Sequence, residues 1–308
     1  MRPPRDRTRR PAIPRWVVLT AGATLIVSLI ALGVALSVDH HAKKDDYAPF
    51  ADCPLSNPET TLCLFSRSEG GEFVAGSKTV PISKTITLQG GVHVVENNER
   101  EIVKDEFIAA KNGETLSRTP QPVPGGLVGV VDPELLPRAL RNAYDEFLAK
   151  GNTAVTATIE LAAPASSIGI DVQNLVEAQG MGLVLPVKIK LSNPFLGADC
   201  HLGSASHPIS FELTTGRTDP PKTTKPIKGK VGKAKLKDDY NLIVIKGSSL
   251  VNNTFAAPAA NGCGARSSPA INRAVNDKLG LPAKSGHNTA ILNGTLQDAN
   301  APAVKASR

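Results

Sequence analysis

The sequence predicts a mainly β fold, an antiparallel sandwich or open barrel with one or two covering helices, preceded by a single N-terminal transmembrane helix. Three observations support this prediction. An uncharged apolar run spans residues 16–38, several later segments alternate apolar and polar residues with a period of two, and only 136–148 and 271–279 show a helical period. Strand patterns do not alternate regularly with helical ones, which argues against a doubly wound parallel sheet.

The run from Trp16 to Val38 is long enough to cross a bilayer. Its 23 residues would form a helix of about 34 Å, which exceeds the roughly 30 Å hydrocarbon core. Six arginines precede the run, opposed by one aspartate, so the positive-inside rule places the N-terminus in the cytoplasm. The residues expected to orient the segment are Arg2, Arg5, Arg7, Arg9, Arg10, Arg15 and the interfacial Trp16.

The same run has a second interpretation as a signal peptide. Cleavage after Ser37, at the acceptable triplet Ala35-Leu36-Ser37, would secrete the rest of the chain. The run exceeds the roughly 7 to 15 apolar residues of ordinary signal peptides, which favours a retained signal anchor in the cell membrane. The expected organisation is a cytoplasmic basic tail at 1–15, the span at 16–38, an extracytoplasmic stalk with a small disulfide loop at 39–70, and a β-rich domain at 71–308.

Period-two alternation predicts half-buried strands in the outer domain. In 153–161, Val155, Ala157 and Ile159 would face the core while the intervening Thr and Glu side chains face solvent. The segment 241–246 is apolar on both faces, which predicts a central strand. The predicted strands are 72–80, 82–95, 101–109, 126–131, 153–161, 186–192, 209–214, 241–246 and 289–296.

Two helices are predicted from apolar residues at helical spacing. The first carries Leu136, Leu140 and Phe147 on one face and ends before Gly151. The second begins at the dipeptide Ser268-Pro269, because proline suits the first helical position. Gly280 is expected to end that helix, since glycine readily adopts the left-handed cap conformation.

The four cysteines fit an oxidising compartment. Cys53, Cys63, Cys200 and Cys263 allow three pairings, and their spacing favours Cys53 with Cys63 and Cys200 with Cys263. The first pair lies within one short segment, and the second lies wholly in the C-terminal half. A metal site is the rival interpretation, but no second Cys lies close in sequence to any of the four, and only Cys200 has a His beside it.

The charge distribution argues against a nucleic-acid-binding protein. The formal net charge is +7, but residues 1–38 hold six arginines and one aspartate, so the remaining 29 basic and 27 acidic residues nearly balance. This outer part therefore lacks a basic nucleic-acid footprint. It also has no Trp and only three Tyr, which argues against aromatic platforms for bases or sugars.

A lysine-rich stretch from Arg217 to Lys237 is the most distinctive outer segment. Two hypotheses fit it: a basic arm that contacts an anionic envelope polymer or lipid headgroups, or a solvated loop leading into an edge strand. Three lysines alternate with Ala234 and Leu236, which favours the edge strand. The lysines considered for anion contact are Lys222, Lys225, Lys228, Lys230, Lys233, Lys235 and Lys237.

Catalytic motifs give little support for an enzyme. The sequence contains no G-x-S-x-G elbow, H-E-x-x-H motif, P-loop or Rossmann fingerprint. His201 and His207 flank Ser204 and Ser206, which would permit a Ser–His pair for hydrolysis. A histidine in a loop beside a disulfide is more often structural or solvated. We therefore predict no enzymatic activity, no cofactor and no metal.

Three C-terminal segments resemble uncharacterised exported or membrane-anchored proteins of actinobacteria. They are KIKLSNPFLGADCHLGSASHPISFELTTG at 188–216, NTFAAPAANGCG at 253–264, and NDKLGLP with GHNTAILNGTL within 276–296. Together they cover roughly the C-terminal 110 residues. The resemblance implies a Gram-positive envelope location and a bond between Cys200 and Cys263. It implies no activity, because none is known for that family.

These observations predict a membrane-anchored envelope protein whose outer domain is a non-enzymatic scaffold or binding module. Its expected partners are the lipid bilayer, through residues 16–38, and an anionic envelope polymer. Two alternatives remain. The first is a carrier of a hydrophobic ligand in a barrel mouth, which requires an apolar cavity of several hundred Å³. The second is a hydrolase using His201 or His207 with a nearby serine.

Overall fold

The protein is described by a computed structural model over residues 36–39, 43–97 and 102–308. Within these ranges it contains fifteen strands in one sheet. They are β1 Leu36–Asp39, β2 Leu62–Ala75, β3 Lys78–Pro81, β4 Ile86–Asn97, β5 Ile102–Ala109, β6 Gln121–Pro122, β7 Thr156–Leu161, β8 Gly169–Ile170, β9 Leu183–Ser192, β10 His201–Leu202, β11 Ile209–Leu213, β12 Lys233–Lys237, β13 Leu242–Asn252, β14 Ala260–Asn261 and β15 Thr289–Asn300.

The predicted antiparallel, mainly β architecture is confirmed. The main path through the sheet runs β1-β12-β13-β15-β2-β4-β5-β8-β9-β10-β14, with β3, β6, β7 and β11 paired beside it. Strand pairings in the described ranges are antiparallel except that β1 runs parallel to β12. The sheet is open, and β13 lies inside it between β12 and β15, as its two apolar faces predict.

The sheet curls around the main core. Phe73 on β2 stacks on Phe211 of β11 with ring centroids 5.6 Å apart, so distant strands meet across the interior. Register shifts in β13 and β15 help the long strands to bend. At the shift in β15, a Cβ on Gly294 would lie 1.8 Å from the Arg67 carbonyl oxygen, so only glycine permits this approach.

A few short helices accompany the sheet. They are α1 Arg138–Ala149, α2 Val172–Glu177, α3 Pro269–Leu279 and α4 Ala301–Ala306, with 3₁₀ turns at Lys44–Phe50, Pro133–Leu135, Ala165–Ser167 and Pro194–Leu196. The two predicted helices correspond to α1 and α3, and α3 ends at Gly280 in the left-handed conformation with φ 64°. The apolar face of α3 is buried in the main core, and α1 packs Tyr144 edge-on against Phe195.

A second, smaller core lies on the outer face of the sheet. The 3₁₀ turn Lys44–Phe50 contributes Tyr47 and Phe50, and α4 contributes Ala301 and Val304. These residues pack with the Cys53–Cys63 bridge over Leu242 and Ala299 of the sheet. Both ends of the described chain therefore meet on one surface.

This second core moves the expected boundary between stalk and domain. The sequence places 39–70 in a stalk, but β2 begins at Leu62 and lies between β15 and β4. Residues 43–61 cover its outer face, with Phe50 only 2% exposed. The mixed charges and prolines of this segment predicted a stalk, because a segment that covers a sheet can have the same polar, turn-rich composition as a stalk.

Two predicted strands are corrected. Residues 126–131 lie in turns rather than in a strand, because Gly125 and Gly126 adopt φ values of +78° and +51°. Leu127 and Val130 are nonetheless fully buried, which explains the misleading apolar pattern. The predicted strand 72–80 is interrupted at Gly76, where φ of +57° turns the chain from β2 into β3.

The predicted span 16–38 lies outside the described residues except for 36–38. Those three residues belong to β1 and not to the end of a helix. Throughout the described ranges, no helix combines the length and apolar character needed to cross a membrane. The six tail arginines and Trp16 also lie outside these ranges.

Candidate functional site

Both predicted disulfides are present. Cys53 bonds to Cys63, and Cys200 bonds to Cys263. The second bridge is fully buried and joins the chain after β9 to the loop before α3. Gly264 reinforces the junction by donating its backbone N–H to the Leu196 carbonyl at 2.6 Å. Two disulfides suggest an extracytoplasmic domain, since reducing compartments rarely maintain them.

The outer face of β12, β13 and β15 changes from apolar to basic along the strands. Strand register aligns residues in rows that share this face. The first row, Lys237–Leu242–Ala299, borders the second core, and the next contains Lys235, Val244 and Gln297. The third row pairs Lys233 directly with Lys246. The face therefore gains positive charge with distance from the second core.

These rows form the floor of an open groove of about 610 Å³, which we call the lysine groove. The 3₁₀ turn Lys44–Phe50 forms part of its wall through Asp45, Asp46 and Pro49. Four lysines line it: Lys233, Lys235, Lys237 and Lys246. An open cleft with convergent ammonium groups has the chemistry to bind phosphate or another anion.

The lysines nearest the second core are neutralised. Lys237 donates to Asp46 Oδ1 at 2.5 Å, and Lys235 donates to Asp39 Oδ2 at 3.2 Å. The hydrogen bond from Lys237 and the backbone N–H of Lys43 hold the pKa of Asp46 below its usual value. The two ion pairs therefore connect β12 to Asp39 of β1 and to Asp46 of the 3₁₀ turn Lys44–Phe50.

Lys233 and Lys246 have a different environment. Both side chains are exposed, and within the described ranges neither has a carboxylate at ion-pair distance. Like charges directly opposite on adjacent antiparallel strands repel each other. This end of the lysine groove therefore has uncompensated positive charge.

The remaining lysines of the predicted basic segment lie before β12. Single β-bridges join Arg217 to Lys228 and Lys230 to Ser249, so part of this loop follows the sheet edge. Lys222, Lys225, Lys228 and Lys230 are exposed. Along β12, Ala234 and Leu236 are buried between more exposed lysines, which agrees with the predicted alternation. The N-terminal strand β1 then covers the edge of β12.

The two histidines considered for hydrolysis have different partners. Ser206 Oγ lies 3.0 Å from Nδ1 of His207, but these neighbours occupy an exposed turn together with Ser204. Among the described residues, no carboxylate ion pair involves His207. His201 Nε2 lies 3.7 Å from Glu160 Oε2, and Glu160 also pairs with Lys188 at 3.3 Å. In the part of the chain that the structure describes, the first arrangement has no carboxylate to orient the imidazole, and the second is a partly buried ion cluster.

Within the described part of the chain, the interior contains a small apolar cavity. Its volume is about 40 Å³, and Phe73, Val130, Ile159 and Leu191 are among its lining residues. A carrier for a lipid-sized ligand requires several hundred Å³. This cavity is therefore too small to hold a lipid-sized ligand.

The structure also reveals a buried carboxyl group that the sequence did not indicate. Asp298 on β15 lies between Ile243 and Leu64 in register and is 8% exposed. Burial raises the pKa of Asp298 to about 7. A hydrogen bond from its own backbone N–H acts in the opposite direction and offsets part of this rise. Asp298 lies beyond the predicted strand 289–296, and only the register places it on the core side.

Within 36–39, 43–97 and 102–308, no cluster of three or more His, Cys, Asp or Glu side chains is arranged to hold a metal ion. The chain was compared with protein-family models, curated proteins and solved structures, and no match was found in any of the three.

Proposed function

We propose that this chain is a membrane-anchored extracytoplasmic envelope protein whose β domain acts as a non-enzymatic scaffold or binding module. The observation that carries the proposal is the pair of buried disulfides, which use all four cysteines of the chain. Such bridges are typical of proteins exposed to an oxidising compartment. The uncharged run at 16–38 and its preceding arginines supply the means of export and retention.

The binding role rests on the lysine groove. It brings four lysines together, and among the described residues two of them, Lys233 and Lys246, have no carboxylate at ion-pair distance. The hydrolase alternative has weaker support, because the Ser206–His207 hydrogen bond joins adjacent exposed residues. The 40 Å³ interior cavity argues against the carrier alternative.

Membrane anchoring can be tested with the full chain carrying a C-terminal tag. We expect it in the membrane fraction, with the tag protease-accessible from outside the cell and all four cysteines resistant to alkylation until a reductant is added. The intact mass would show whether the segment before Ser37 is retained. Recovery from the cytosol with four reactive thiols would refute the proposal.

The non-enzymatic role requires a separate experiment. The full chain in detergent would be incubated with panels of esters, glycosides and peptides, beside the Ser206→Ala and His207→Ala variants. We expect no turnover above the buffer rate. Turnover that disappears in both variants would instead establish the hydrolase.

A further inference from the structure

We propose that the lysine groove binds the phosphate headgroups of anionic lipids in the membrane that anchors the chain. Lys233 and Lys246 would bind the phosphate, and the groove would receive the adjoining headgroup. This inference rests on the proposed function, since it requires the outer domain to be held at a bilayer. It adds a defined surface and a lipid class to the general role of a binding module.

The distribution of ion pairs indicates where the anion binds. Lys237 and Lys235 already contact Asp46 and Asp39, so their charges are compensated within the protein. Lys233 and Lys246 have no such partner among the described residues, although they are directly opposite in register. A phosphate between them would convert a repulsive pair into two charge-assisted hydrogen bonds.

The register of β1 favours a lipid over a soluble polymer. Leu36 aligns with Ala234 in the parallel pair, so the first residue of β1 lies one register position from Lys233. One strand residue spans about 3.3 Å. Residues 36–38 of the predicted span lie in β1 itself, so a chain anchored by the preceding apolar residues would hold bilayer phosphates close to the two uncompensated lysines. A long polymer would gain more from a continuous stripe, whereas the free charge here is confined to one end of the groove.

The dimensions of the lysine groove also suit a headgroup. Its volume is about 610 Å³, and it is open on one side. Val244 and Pro49 supply apolar surface beside the lysines, and Gln297 adds an amide on the floor. This combination matches a phosphate attached to a glycerol unit, which presents both charged and less polar atoms.

The test uses the full chain in nanodiscs with either zwitterionic lipid alone or a mixture containing phosphatidylglycerol. The acylation rate of each lysine is measured by mass spectrometry with a small amine-reactive reagent. We expect Lys233 and Lys246 to react about fivefold more slowly in the anionic discs. High salt should reduce this protection, because it screens exposed charge. Lys150, exposed at the C-cap of α1, should react equally in both discs.

A pair of matched variants separates the groove from general electrostatics. Lys233→Gln/Lys246→Gln removes the proposed contacts, while Lys222→Gln/Lys225→Gln removes the same charge from the exposed loop. The measurement is the enrichment of fluorescent phosphatidylglycerol around the labelled protein. We expect it to fall to the level of a fluorescent zwitterionic lipid only in Lys233→Gln/Lys246→Gln. Equal loss in both variants, or none in the first, overturns the proposal.

The remaining outcomes also decide between explanations. Protection of both lysines by soluble polyphosphate in zwitterionic discs, without protection in anionic discs, would identify a polymer site and overturn the lipid assignment. A chain that embeds in discs but shows no protection refutes this inference and leaves the anchor intact. A chain that does not embed refutes the proposed function and the inference together.

Discussion

Replacing Asp298 with asparagine should make folding stability less dependent on pH. Asp298 faces the main core between Ile243 and Leu64, so ionisation moves a charge into apolar surroundings. Asparagine has nearly the same shape and cannot ionise. The variant therefore removes the charge while leaving the packing of β15 almost unchanged.

The magnitude follows from the shifted pKa. The pKa of Asp298 rises from 3.8 to about 7 because of burial, so the folded state retains a proton that the unfolded state releases. This contribution to stability is fully present below pH 3.8 and is lost as the pH rises toward 7. Between these two pKa values, each pH unit lowers the free energy of unfolding by about 1.4 kcal/mol. The total loss of stability is therefore roughly 4 kcal/mol as an upper limit. Residual exposure of Asp298 to solvent reduces that figure.

The assay is urea denaturation of both proteins at several pH values from 4 to 8. The free energy of unfolding of the unsubstituted protein minus that of Asp298→Asn should fall as the pH rises, and the variant should be the more stable protein at pH 8. Subtracting one protein's free energy of unfolding from the other's cancels the pH dependence that both share, such as that from the lowered pKa of Asp46. Asp277→Asn, at an exposed site on α3, serves as the control. A difference that stays constant between pH 4 and pH 8 would refute the reasoning.

Three further predictions concern the stability of the fold. The double variant Cys200→Ala/Cys263→Ala should lose roughly 4 kcal/mol by denaturant titration, because the bridge closes a loop with a sequence separation of 63, while Cys53→Ala/Cys63→Ala should lose roughly 3. Equal denaturation midpoints before and after reduction of the unsubstituted protein would contradict this. Gln121→Leu should cost roughly 2–4 kcal/mol, because its buried amide accepts from the Ser83 and Lys84 N–H groups and donates to two carbonyls; a neutral result would show that these groups find other partners. Gly71→Ala should lower the melting temperature far more than Gly70→Ala, because a Cβ at Gly71 would lie 1.9 Å from the Ile291 carbonyl oxygen while Gly70 has open space; similar melting temperatures would contradict the close approach.

The sequence predicted elements whose signals are local. The second predicted helix is correct at both ends, because proline at the first turn and glycine at the end act through their own backbone geometry. The alternation in β12 also identified its buried side chains correctly. Each of these patterns depends only on residues close together in the chain.

The errors arose where apolar composition has more than one structural solution. The segment 126–131 buries its Leu127, Val130 and Val131 side chains as a strand would, but Gly125 and Gly126 adopt positive φ and place it in turns. The opposite error concerns β2. Its sequence LCLFSRSEGGEFVA contains charged residues and two adjacent glycines, which obscure the alternation of a strand near the middle of the sheet.

The lysine groove shows a deeper limit of sequence reasoning. Alternation placed three lysines on one face of β12, but Lys246 and Asp46 join them from segments that only register and tertiary packing bring near. Composition identified a basic segment, yet it could not show which of its lysines form ion pairs and which do not. That distinction depends on which lysines meet a carboxylate, and the carboxylates come from 39–46, near the other end of the chain.

The second core determines whether this charge has a fixed position relative to the membrane. Three linkages hold the segment after the predicted span: the β1–β12 pairing, the burial of Phe50, and the Cys53–Cys63 bridge. The C-terminal Arg308 adds hydrogen bonds to the Phe50 and Ala51 carbonyls. A flexible stalk would let the domain rotate freely, and any lysine could then meet the bilayer. Because β1 pairs with β12 and the chain is packed onto the sheet from Lys44 onward, strand register sets the position of Leu36 relative to Lys233 and Lys246. Lipid contact at the lysine groove should therefore be site-specific, which is why the matched loop lysines are the decisive control.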